Sequence, residues 1–369
     1  MIKGLYIHIP FCDSICTYCD FCKMVADKEL KIKYIYALIK ELEHHKLRYA
    51  DLETIYIGGG TPSSLDLDLL AVLLQNIQKY VNVKTLKEYT IEVNPNDINQ
   101  DFINVIKKGK INRVSMGVQT TVDGLLKFLK RTHRKSDVLN DIELLRQNDI
   151  NNINLDFIHS IPNQTLSDIK ADVDFIKTIK PMHISYYSLI IEENTLLSYM
   201  ISQNQVKPLS ADLEADYSEY IRDSLLELGY HRYEISNYAK NGLESVHNLL
   251  YWNLEEYIGI GLNAASQYDN KRFKNTVLVS SYIKNINNLD FTKAEEEFSP
   301  IMEYILMGLR KTKGISLDDF LSRYNEDIFV IYPGLKKHLN NGLLILDNSY
   351  LRFSKKGMEL SNQVYLEIV

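Results

Sequence analysis

The sequence predicts an α/β protein with six parallel strands separated by helices, followed by a smaller, mostly helical domain. Two observations support this prediction. Short apolar runs alternate with segments of helical period as far as residue 191, and after that residue the regular alternation ends. Alternation of this kind is typical of parallel strands joined by right-handed crossovers. Six such units suit an incomplete (β/α) barrel as well as a doubly wound sheet, because strand order cannot be read from sequence.

The elements follow from hydrophobic periodicity, with strands read as apolar runs and helices from i, i+3, i+4 spacing. The predicted strands cover residues 4–9, 54–57, 88–93, 113–118, 152–157 and 183–189. The predicted helices between them cover residues 28–47, 66–81, 98–108, 122–130 and 165–179. Helices are also expected at 195–203 and 212–228, followed by an irregular Tyr- and Asn-rich segment to about residue 273. From residue 301 onward, the expected helices at 303–310, 317–324 and 335–340 and strands at 343–346 and 350–353 give a winged-helix-like order.

Composition and charge exclude several classes of protein. The chain is 45% hydrophobic and 24% charged, as expected for a globular protein. Its net charge of −6, from 42 basic and 48 acidic residues, gives no electrostatic reason to expect nucleic acid as a partner. The longest apolar stretch, residues 182–191, is too short to span a membrane. We therefore expect a cytoplasmic protein without direct membrane insertion, whose partners are small molecules or other proteins.

The cysteines indicate metal or redox chemistry. All four lie between positions 12 and 22, so they cannot form a distributed disulfide framework. Their spacing is Cys12-x3-Cys16-x2-Cys19-x2-Cys22, directly after the first predicted strand. Structural zinc sites normally place a longer segment between two ligand pairs. A zinc knuckle or a group of buried thiols remains the alternative interpretation.

Other polar clusters lie at the ends of the later strands. Gly58-Gly59-Gly60-Thr61 follows the second strand, Glu92 lies near the end of the third, Gln119 follows the fourth and Asp156 lies near the end of the fifth. Arg131 is expected near the same edge. The carboxyl ends of parallel strands meet, which predicts one common site. The alternatives are a tight turn for the glycines, hydrogen-bond anchors for the carboxylates and a surface ion pair for the arginine.

The cysteine motif, with Tyr18 just before its third cysteine, resembles that of the radical S-adenosylmethionine (SAM) superfamily. Within it the chain resembles the branch that contains oxygen-independent coproporphyrinogen III oxidase and the HemW heme chaperones. The segments that carry this resemblance are 6–12, 16–19, 58–62, 113–119, 161–165, 303–310 and 342–344. The resemblance covers nearly the whole chain and implies an incomplete (β/α)6 TIM-like barrel of radical SAM type.

The same resemblance implies the cofactors and their ligands. Cys12, Cys16 and Cys19 would hold a [4Fe–4S] cluster whose open fourth iron binds SAM. The implied SAM contacts are Tyr6, Tyr18, Gly59, Gly60, Thr61, Glu92, Gln119, Arg131 and Asp156. Cys22 lies one position beyond the fourth cysteine of the oxidase motif and is not assigned as a ligand. His8, inside the first strand, is expected to be structural.

Three features favour the chaperone over the oxidase. Phe21 occupies the oxidase's fourth cysteine position, and only eleven residues precede Cys12, where the oxidase carries a long extra segment. The run His247-Asn-Leu-Leu-Tyr-Trp252 resembles the His-Asn-x-x-Tyr-Trp motif of HemW proteins, which is associated with heme. The resemblance thus implies a heme chaperone with His247 as heme ligand, an acceptor hemoprotein and an electron donor for the cluster. Decarboxylation of coproporphyrinogen III to protoporphyrinogen IX is the alternative function.

The chain departs from the family pattern at two places. His159-Ser160 stands where the family usually has Tyr-Gly, and residues 262–266 stand where Pro-Gly-Ala-His-Ser is usual. The predicted domains are the barrel core at 1–195, a helical extension with the heme-motif segment at 196–295, and the winged-helix-like domain at 296–369.

Overall fold

A computed structural model describes residues 1–368 and has six parallel strands at its centre. These strands are β1 (Gly4–Ile9), β2 (Thr54–Gly59), β3 (Glu88–Val93), β4 (Arg113–Gln119), β5 (Ile153–His159) and β6 (His183–Ser188). The helices between them are α1 (Lys28–His44), α2 (Leu67–Tyr80), α3 (Gln100–Lys108), α4 (Asp123–Phe128), α5 (Lys135–Gln147) and α6 (Leu166–Ile179). Among residues 1–368, no helix is both long and apolar enough to cross a lipid bilayer.

The strand order confirms the predicted fold class. Strands β1 to β6 pair in sequence order and in parallel, with Gly4 opposite Thr54 and Ile9 opposite Gly59 in the first pair. Strand β1 has its other parallel partner at residues 257–260, and β6 has an antiparallel partner at residues 237–239. The first and last of the six strands therefore have other neighbours on their outer sides, and the barrel is incomplete.

Burial under the surrounding helices explains the apolar composition of these strands. Leu5, Ile7 and Ile9 of β1 are all fully buried, as expected where helices cover a parallel sheet. Side-chain caps define several helix starts: Asp27 accepts a hydrogen bond from the Leu30 N–H at the start of α1. Thr165 and Asp168 form a capping box at the start of α6.

The segment after β6 extends the same sheet. It contains α7 (Leu196–Ser202), α8 (Ala211–Glu227), β7 (His231–Arg232), β8 (Asn237–Ala239), α9 (Val246–Trp252), β9 (Tyr257–Ile260), β10 (Ala265–Tyr268), β11 (Lys271–Lys274), α10 (Val279–Asn287) and β12 (Ala294–Glu296). The prediction of an irregular segment up to residue 273 is therefore wrong. Strands of two to four residues are too short to show an alternating pattern, and β8 and β9 join the sheet through β6 and β1, which are distant in sequence. Ile258, Ile260 and Tyr282 join the apolar core of the barrel.

The C-terminal part has its own core, in which Leu309, Phe320, Leu335 and Leu351 are buried. It comprises α11 (Pro300–Arg310), β13 (Ile315–Ser316), α12 (Leu317–Tyr324), α13 (Ile328–Ile331), α14 (Gly334–Asn340), β14 (Leu344–Asp347), β15 (Tyr350–Phe353), α15 (Lys355–Glu359) and α16 (Ser361–Tyr365). Its three strands form an antiparallel sheet in the order β13-β15-β14. Helices with a small antiparallel sheet agree with the winged-helix-like expectation, and the predicted domain bounds stay a prediction.

A buried carboxylate joins α1 to the segment that follows the barrel. Glu41 is fully buried and accepts hydrogen bonds from the Tyr282 hydroxyl at 2.6 Å, the Asn275 amide at 2.9 Å and the Gly261 N–H at 2.9 Å. The ammonium of Lys293, itself 4% exposed, lies 3.1 Å from the carboxylate. Every lone-pair direction of Glu41 thus has a donor, as a buried charge requires.

Replacing Glu41 with Ala should destabilise the fold by about 3–5 kcal/mol, because Lys293 would be left as an unpaired buried cation. Urea denaturation measures this loss. The exposed Glu43 on the same helix provides the matched control, and its replacement with Ala should change stability by less than about 0.5 kcal/mol. Equal effects of the two substitutions would show that the buried pair does not hold the segment in place.

Candidate cluster and cofactor site

The cysteines lie in a loop after β1 that is closed at its base. The N–H of Cys12 donates to the Met24 carbonyl at 3.0 Å, and the N–H of Met24 donates to the Pro10 carbonyl at 2.7 Å. Within the loop, the Cys19 N–H donates to the Cys16 carbonyl at 3.4 Å. These backbone bonds fix where the loop begins and ends, so the cysteines stay at the carboxyl end of β1.

Cys12, Cys16 and Cys19 are half-buried and line a cavity of about 540 Å³. The cavity is also lined by all but one of the predicted SAM contacts: Tyr18, Gly59, Gly60, Thr61, Glu92, Gln119, Arg131 and Asp156. The structure therefore brings residues from the ends of five strands and their following loops to one place, as the parallel topology predicts.

Tyr6 is the predicted contact that the structure leaves outside the cavity lining. Its hydroxyl lies 2.9 Å from Nδ1 of His8. The other ring nitrogen of His8 lies 2.8 Å from the Cys22 carbonyl oxygen, so His8 connects β1 to the end of the cysteine loop. This agrees with the structural role expected for His8, while the role of Tyr6 stays a prediction.

The thiols have a donor environment that suits metal binding. The Thr61 hydroxyl donates to Sγ of Cys12 at 3.5 Å, and Nη1 of Arg131 donates to Sγ of Cys16 at 3.6 Å. Burial raises the pKa of the Cys12 thiol and raises that of Cys19 to about 11. These thiols hold their protons until a metal displaces them.

The positions of the three cysteines fit a [4Fe–4S] cluster. In the described part of the chain, no three His, Cys, Asp or Glu side chains are grouped so as to hold a single metal ion. A [4Fe–4S] cluster instead takes each thiolate on a different iron atom. Three half-buried thiols at one open cavity supply that donor set, and Cys22 does not line the cavity.

The glycine turn after β2 is packed against the cysteine loop. Gly59 has φ +115°, and a Cβ there would lie 2.5 Å from Cε1 of His8. The N–H of Gly60 donates to the Ile9 carbonyl at 2.8 Å, and a Cβ on Gly60 would lie 2.7 Å from the Phe11 carbonyl oxygen. Glycine is needed at both positions because β1 and its loop approach the turn so closely.

Glu92 is a half-buried carboxylate at the cavity wall. Its oxygens accept hydrogen bonds from the Tyr56 hydroxyl at 2.7 Å and from the Gly59 N–H at 3.0 Å. Burial raises the pKa of Glu92 to about 7, and the negative charge of Asp156 adds to this, against the lowering effect of the Tyr56 hydrogen bond. A cationic ligand in the cavity would favour the ionised form.

Asp156 is the second carboxylate, and polar side chains of the barrel interior hold it. The Asn154 amide donates to it at 2.7 Å and the Ser115 hydroxyl at 3.1 Å. Burial raises its pKa, while these donors oppose the rise. Both carboxylates therefore have fixed orientations toward the same cavity.

An irregularity of the backbone places Gln119, and hydrogen bonds place Arg131. Gln119 ends β4 with φ +66°, where the register with β5 shifts. Nη2 of Arg131 donates to the Asn94 amide oxygen at 2.8 Å and to the Gly117 carbonyl. A Cβ on Gly117 would lie 2.8 Å from the Gln119 amide nitrogen, so this glycine makes room for both side chains.

Two of the cavity residues that sequence reasoning missed are of particular interest. Tyr56 and Asn94 both line the cavity. Asn94 follows Glu92 at the end of β3, and Tyr56 precedes Gly58 by two residues on the inward side of β2. The signal for each was its position beside a recognised motif residue. Tyrosine and asparagine are common residue types, and neither indicates a functional role by itself.

His247 lies at the opposite end of the barrel from the cysteines. Its Nδ1 is 2.7 Å from the hydroxyl of Thr54, which begins β2, and its Nε2 is 2.8 Å from the hydroxyl of Tyr251. The side chain is almost completely buried, and burial, with Arg113 nearby, lowers its pKa to about 3. Both ring nitrogens are engaged, so this arrangement offers no free nitrogen to a heme iron.

Glu88 holds the helix that carries His247. This carboxylate, at the start of β3, accepts hydrogen bonds from the N–H groups of Val246 at 2.8 Å and His247 at 3.1 Å. It also accepts the Ser245 hydroxyl proton at 3.0 Å. A negative charge at the N-terminus of α9 satisfies its free N–H groups.

Tyr56 connects the two ends. Its hydroxyl binds Glu92, and its ring stacks on the His247 imidazole with centroids 5.2 Å apart and planes 27° apart. A single side chain therefore separates the cavity carboxylate from the heme-motif histidine.

Replacing Glu92 with Gln should change how stability depends on pH. The Glu92 carboxyl ionises near pH 4.5 in the unfolded chain but only near pH 7 in the native state, so the stability contributed by its protonated form is lost as pH rises through that range. Between pH 5 and pH 8, the Gln variant should gain about 1–3 kcal/mol relative to the wild type in urea denaturation of the metal-free protein.

The exposed Glu43→Gln variant is the control and should follow the wild type at every pH. If the wild type and the Glu92→Gln variant keep a constant difference from pH 5 to pH 8, the Glu92 carboxyl does not titrate in this range.

Comparison with known proteins agrees with this fold. The model of the Radical SAM superfamily matches residues 6–176, and that of the HemN C-terminal domain matches residues 300–360. The heme chaperone HemW of Lactococcus lactis is 37% identical over 98% of this chain and 96% of that protein. The heme chaperone HemW of Bacillus subtilis is 34% identical over 99% of this chain and 98% of that protein.

Among solved structures, the coproporphyrinogen III oxidase HemN of Escherichia coli, a radical SAM enzyme, superimposes with a TM-score of 0.85. The match covers 100% of this chain and 90% of the oxidase. Because the sequence identity is 18%, it supports the fold alone. The sequence identity to the two HemW proteins, along almost their full length, shows the family. This chain belongs to the HemW family of heme chaperones within the radical SAM superfamily.

Proposed function

We propose that this protein binds heme, carries a SAM-coordinated [4Fe–4S] cluster and passes its heme to an acceptor hemoprotein. The observation that carries the cluster part is the cavity at the carboxyl edge, where the three cysteines converge with Glu92, Asp156 and Arg131. The heme part is supported by the relatives, which are heme chaperones, and by the motif at residues 247–252. A cytoplasmic location and an electron donor for the cluster belong to the same proposal.

The predicted cluster ligands and charged SAM contacts each have a proposed role. Cys12, Cys16 and Cys19 would bind three irons, and the fourth iron would hold the amino and carboxylate groups of SAM. When bound, the cluster would supply an electron to SAM. Glu92 and Asp156 suit the positive charges of SAM, and Arg131 suits its carboxylate.

The remaining cavity residues would shape the SAM site. Gly59 and Gly60 let the backbone approach the ligand closely, and Thr61, Gln119 and Tyr18 offer neutral polar groups. We keep Tyr6 in this set as a residue behind the wall, since its hydroxyl reaches His8, which packs against Gly59.

His247 is proposed as the heme ligand, and its burial sets a condition on that role. Imidazole is a natural axial ligand of heme iron. Binding through either ring nitrogen would replace a hydrogen bond to Thr54 or Tyr251. We therefore propose that heme loading moves α9 away from the barrel end.

Anaerobic reconstitution of the full chain with iron and sulfide tests the proposal. The wild type should take up about four irons per chain. Cys16→Ala should lose the cluster, whereas Cys22→Ala should retain it. The same wild-type sample should bind heme in a spectroscopic titration, give it to an apo-hemoprotein, and produce no protoporphyrinogen IX from coproporphyrinogen III with SAM and reductant.

The outcomes separate the alternatives. Decarboxylation of coproporphyrinogen III would make the protein an oxidase. A chain that binds zinc and forms no iron–sulfur cluster would overturn the cluster proposal, and a chain that binds no heme would overturn the chaperone proposal.

The His247→Ala variant should bind heme at least about tenfold more weakly, a loss of ~1.4 kcal/mol or more, with unchanged iron uptake. Because His247 is buried and hydrogen-bonded, this variant should also lose about 1–3 kcal/mol of folding stability. Thr54→Val is the matched control, since it removes one hydrogen bond of His247 but keeps the imidazole. Heme affinity that falls equally in both variants would indicate a structural effect instead of lost ligation.

A further inference from the structure

We propose that Asn94 is a positioning residue that holds Thr61 and Arg131 against the sulfur atoms of Cys12 and Cys16 and thereby sets the reduction potential of the cluster. This inference rests on the proposed cluster and goes beyond it, since the described hydrogen bonds of Asn94 lead to Ser63, Thr61 and Arg131 and not to a cysteine sulfur. It concerns how easily the cluster accepts an electron.

The amide of Asn94 makes two hydrogen bonds of opposite sense. Its Nδ2 donates to the Thr61 hydroxyl oxygen at 3.2 Å, and its Oδ1 accepts from Nη2 of Arg131 at 2.8 Å. A guanidinium can only donate, so the amide oxygen must face Arg131 and the NH2 group must face Thr61. The orientation of the amide is therefore determined by its partners.

Thr61 and Arg131 each donate a further hydrogen bond to a cysteine sulfur. The Thr61 hydroxyl accepts from Asn94 and gives its own proton toward Sγ of Cys12 at 3.5 Å. Arg131 uses Nη2 for Asn94 and Nη1 for Sγ of Cys16 at 3.6 Å. One amide thus fixes two donors that reach two different cysteines.

Asn94 is itself held rigidly at the end of β3. Its backbone N–H donates to the Ser63 hydroxyl at 3.1 Å, and that hydroxyl donates to the Asp97 carboxylate at 2.5 Å. The N–H of Asp97 returns to the Asn94 carbonyl at 3.3 Å. Ser63 and Thr61 are both buried, which limits alternative rotamers.

Hydrogen bonds to ligand sulfurs stabilise the reduced, more negative state of an iron–sulfur cluster and so raise its potential. Without the Asn94 amide, the Thr61 hydroxyl is free to rotate away from Cys12, and Arg131 loses one of its anchors. The potential should then fall. A carboxylate in place of the amide would accept the Thr61 proton, which withdraws the donor from Cys12 and adds negative charge.

The test is a redox titration of the reconstituted full chain, followed by electron paramagnetic resonance and without SAM. At the wild-type midpoint potential, Asn94→Leu and Asn94→Asp should raise the ratio of oxidised to reduced cluster about tenfold, which is ~59 mV for a one-electron couple. Iron and sulfide content should equal that of the wild type. Asn76→Ala, on helix α2 and hydrogen-bonded only within that helix, should leave the potential unchanged.

If either Asn94 variant fails to load iron, Thr61→Val replaces it, because this change deletes only the donor to Cys12. It should lower the potential in the same direction by a smaller amount. An unchanged midpoint in an iron-replete Asn94 or Thr61 variant would overturn the inference. A wild type without a cluster would instead overturn the proposed function, so the two failures are distinguishable.

Discussion

The shared carboxyl edge of the parallel strands is the constraint on which the site depends. Because β1 to β6 run in the same direction, loops far apart in sequence open at one place, and Arg131 reaches the sulfur of Cys16 across 115 positions. The closed base of the cysteine loop and the close approach of Gly59 and Gly60 then leave little freedom in the cavity wall. Chemistry that needs several groups at fixed distances is positioned here by backbone geometry.

A chain of hydrogen-bonded polar side chains crosses the interior below the cavity. Consecutive hydrogen bonds connect Asp156, Asn154, His183, Tyr233, Ser245 and Glu88. Buried polar groups in a low-dielectric interior are costly unless every partner is present, so such a network favours one conformation. It reaches from the cavity carboxylate to the carboxylate that caps α9. The proposed cofactor site and the heme motif therefore rest on one set of buried contacts.

Helix α9 is held from two sides. On the barrel side, Glu88 caps its N-terminus and Tyr56 stacks on His247. On the other side, the Arg310 guanidinium of α11 lies 4.5 Å from the centre of the Trp252 ring, and the Lys311 ammonium lies 2.5 Å from the Asn253 amide oxygen. The C-terminal part of the chain therefore contacts the proposed heme motif directly. Any movement that frees His247 must also alter that contact.

The sequence by itself did not predict helix α5 between β4 and β5, but it determined the six parallel strands of the barrel, the cysteine motif and part of the cavity lining. These follow from local signals: apolar periodicity, the spacing of Cys12, Cys16 and Cys19, and polar residues that end buried strands. The short strands from β7 to β12 were not predictable, because two to four residues show no periodic pattern, and β8 and β9 join the sheet only by pairing with the distant strands β6 and β1.

Only the tertiary structure decided the surroundings of individual side chains. It placed His247 at the end of the barrel away from the cysteines with both nitrogens engaged, and it moved Tyr6 behind the cavity wall. It also gave Asn94 and Tyr56 their contacts. A motif fixes which residue types are present, whereas burial and hydrogen-bond partners depend on segments that meet only after folding.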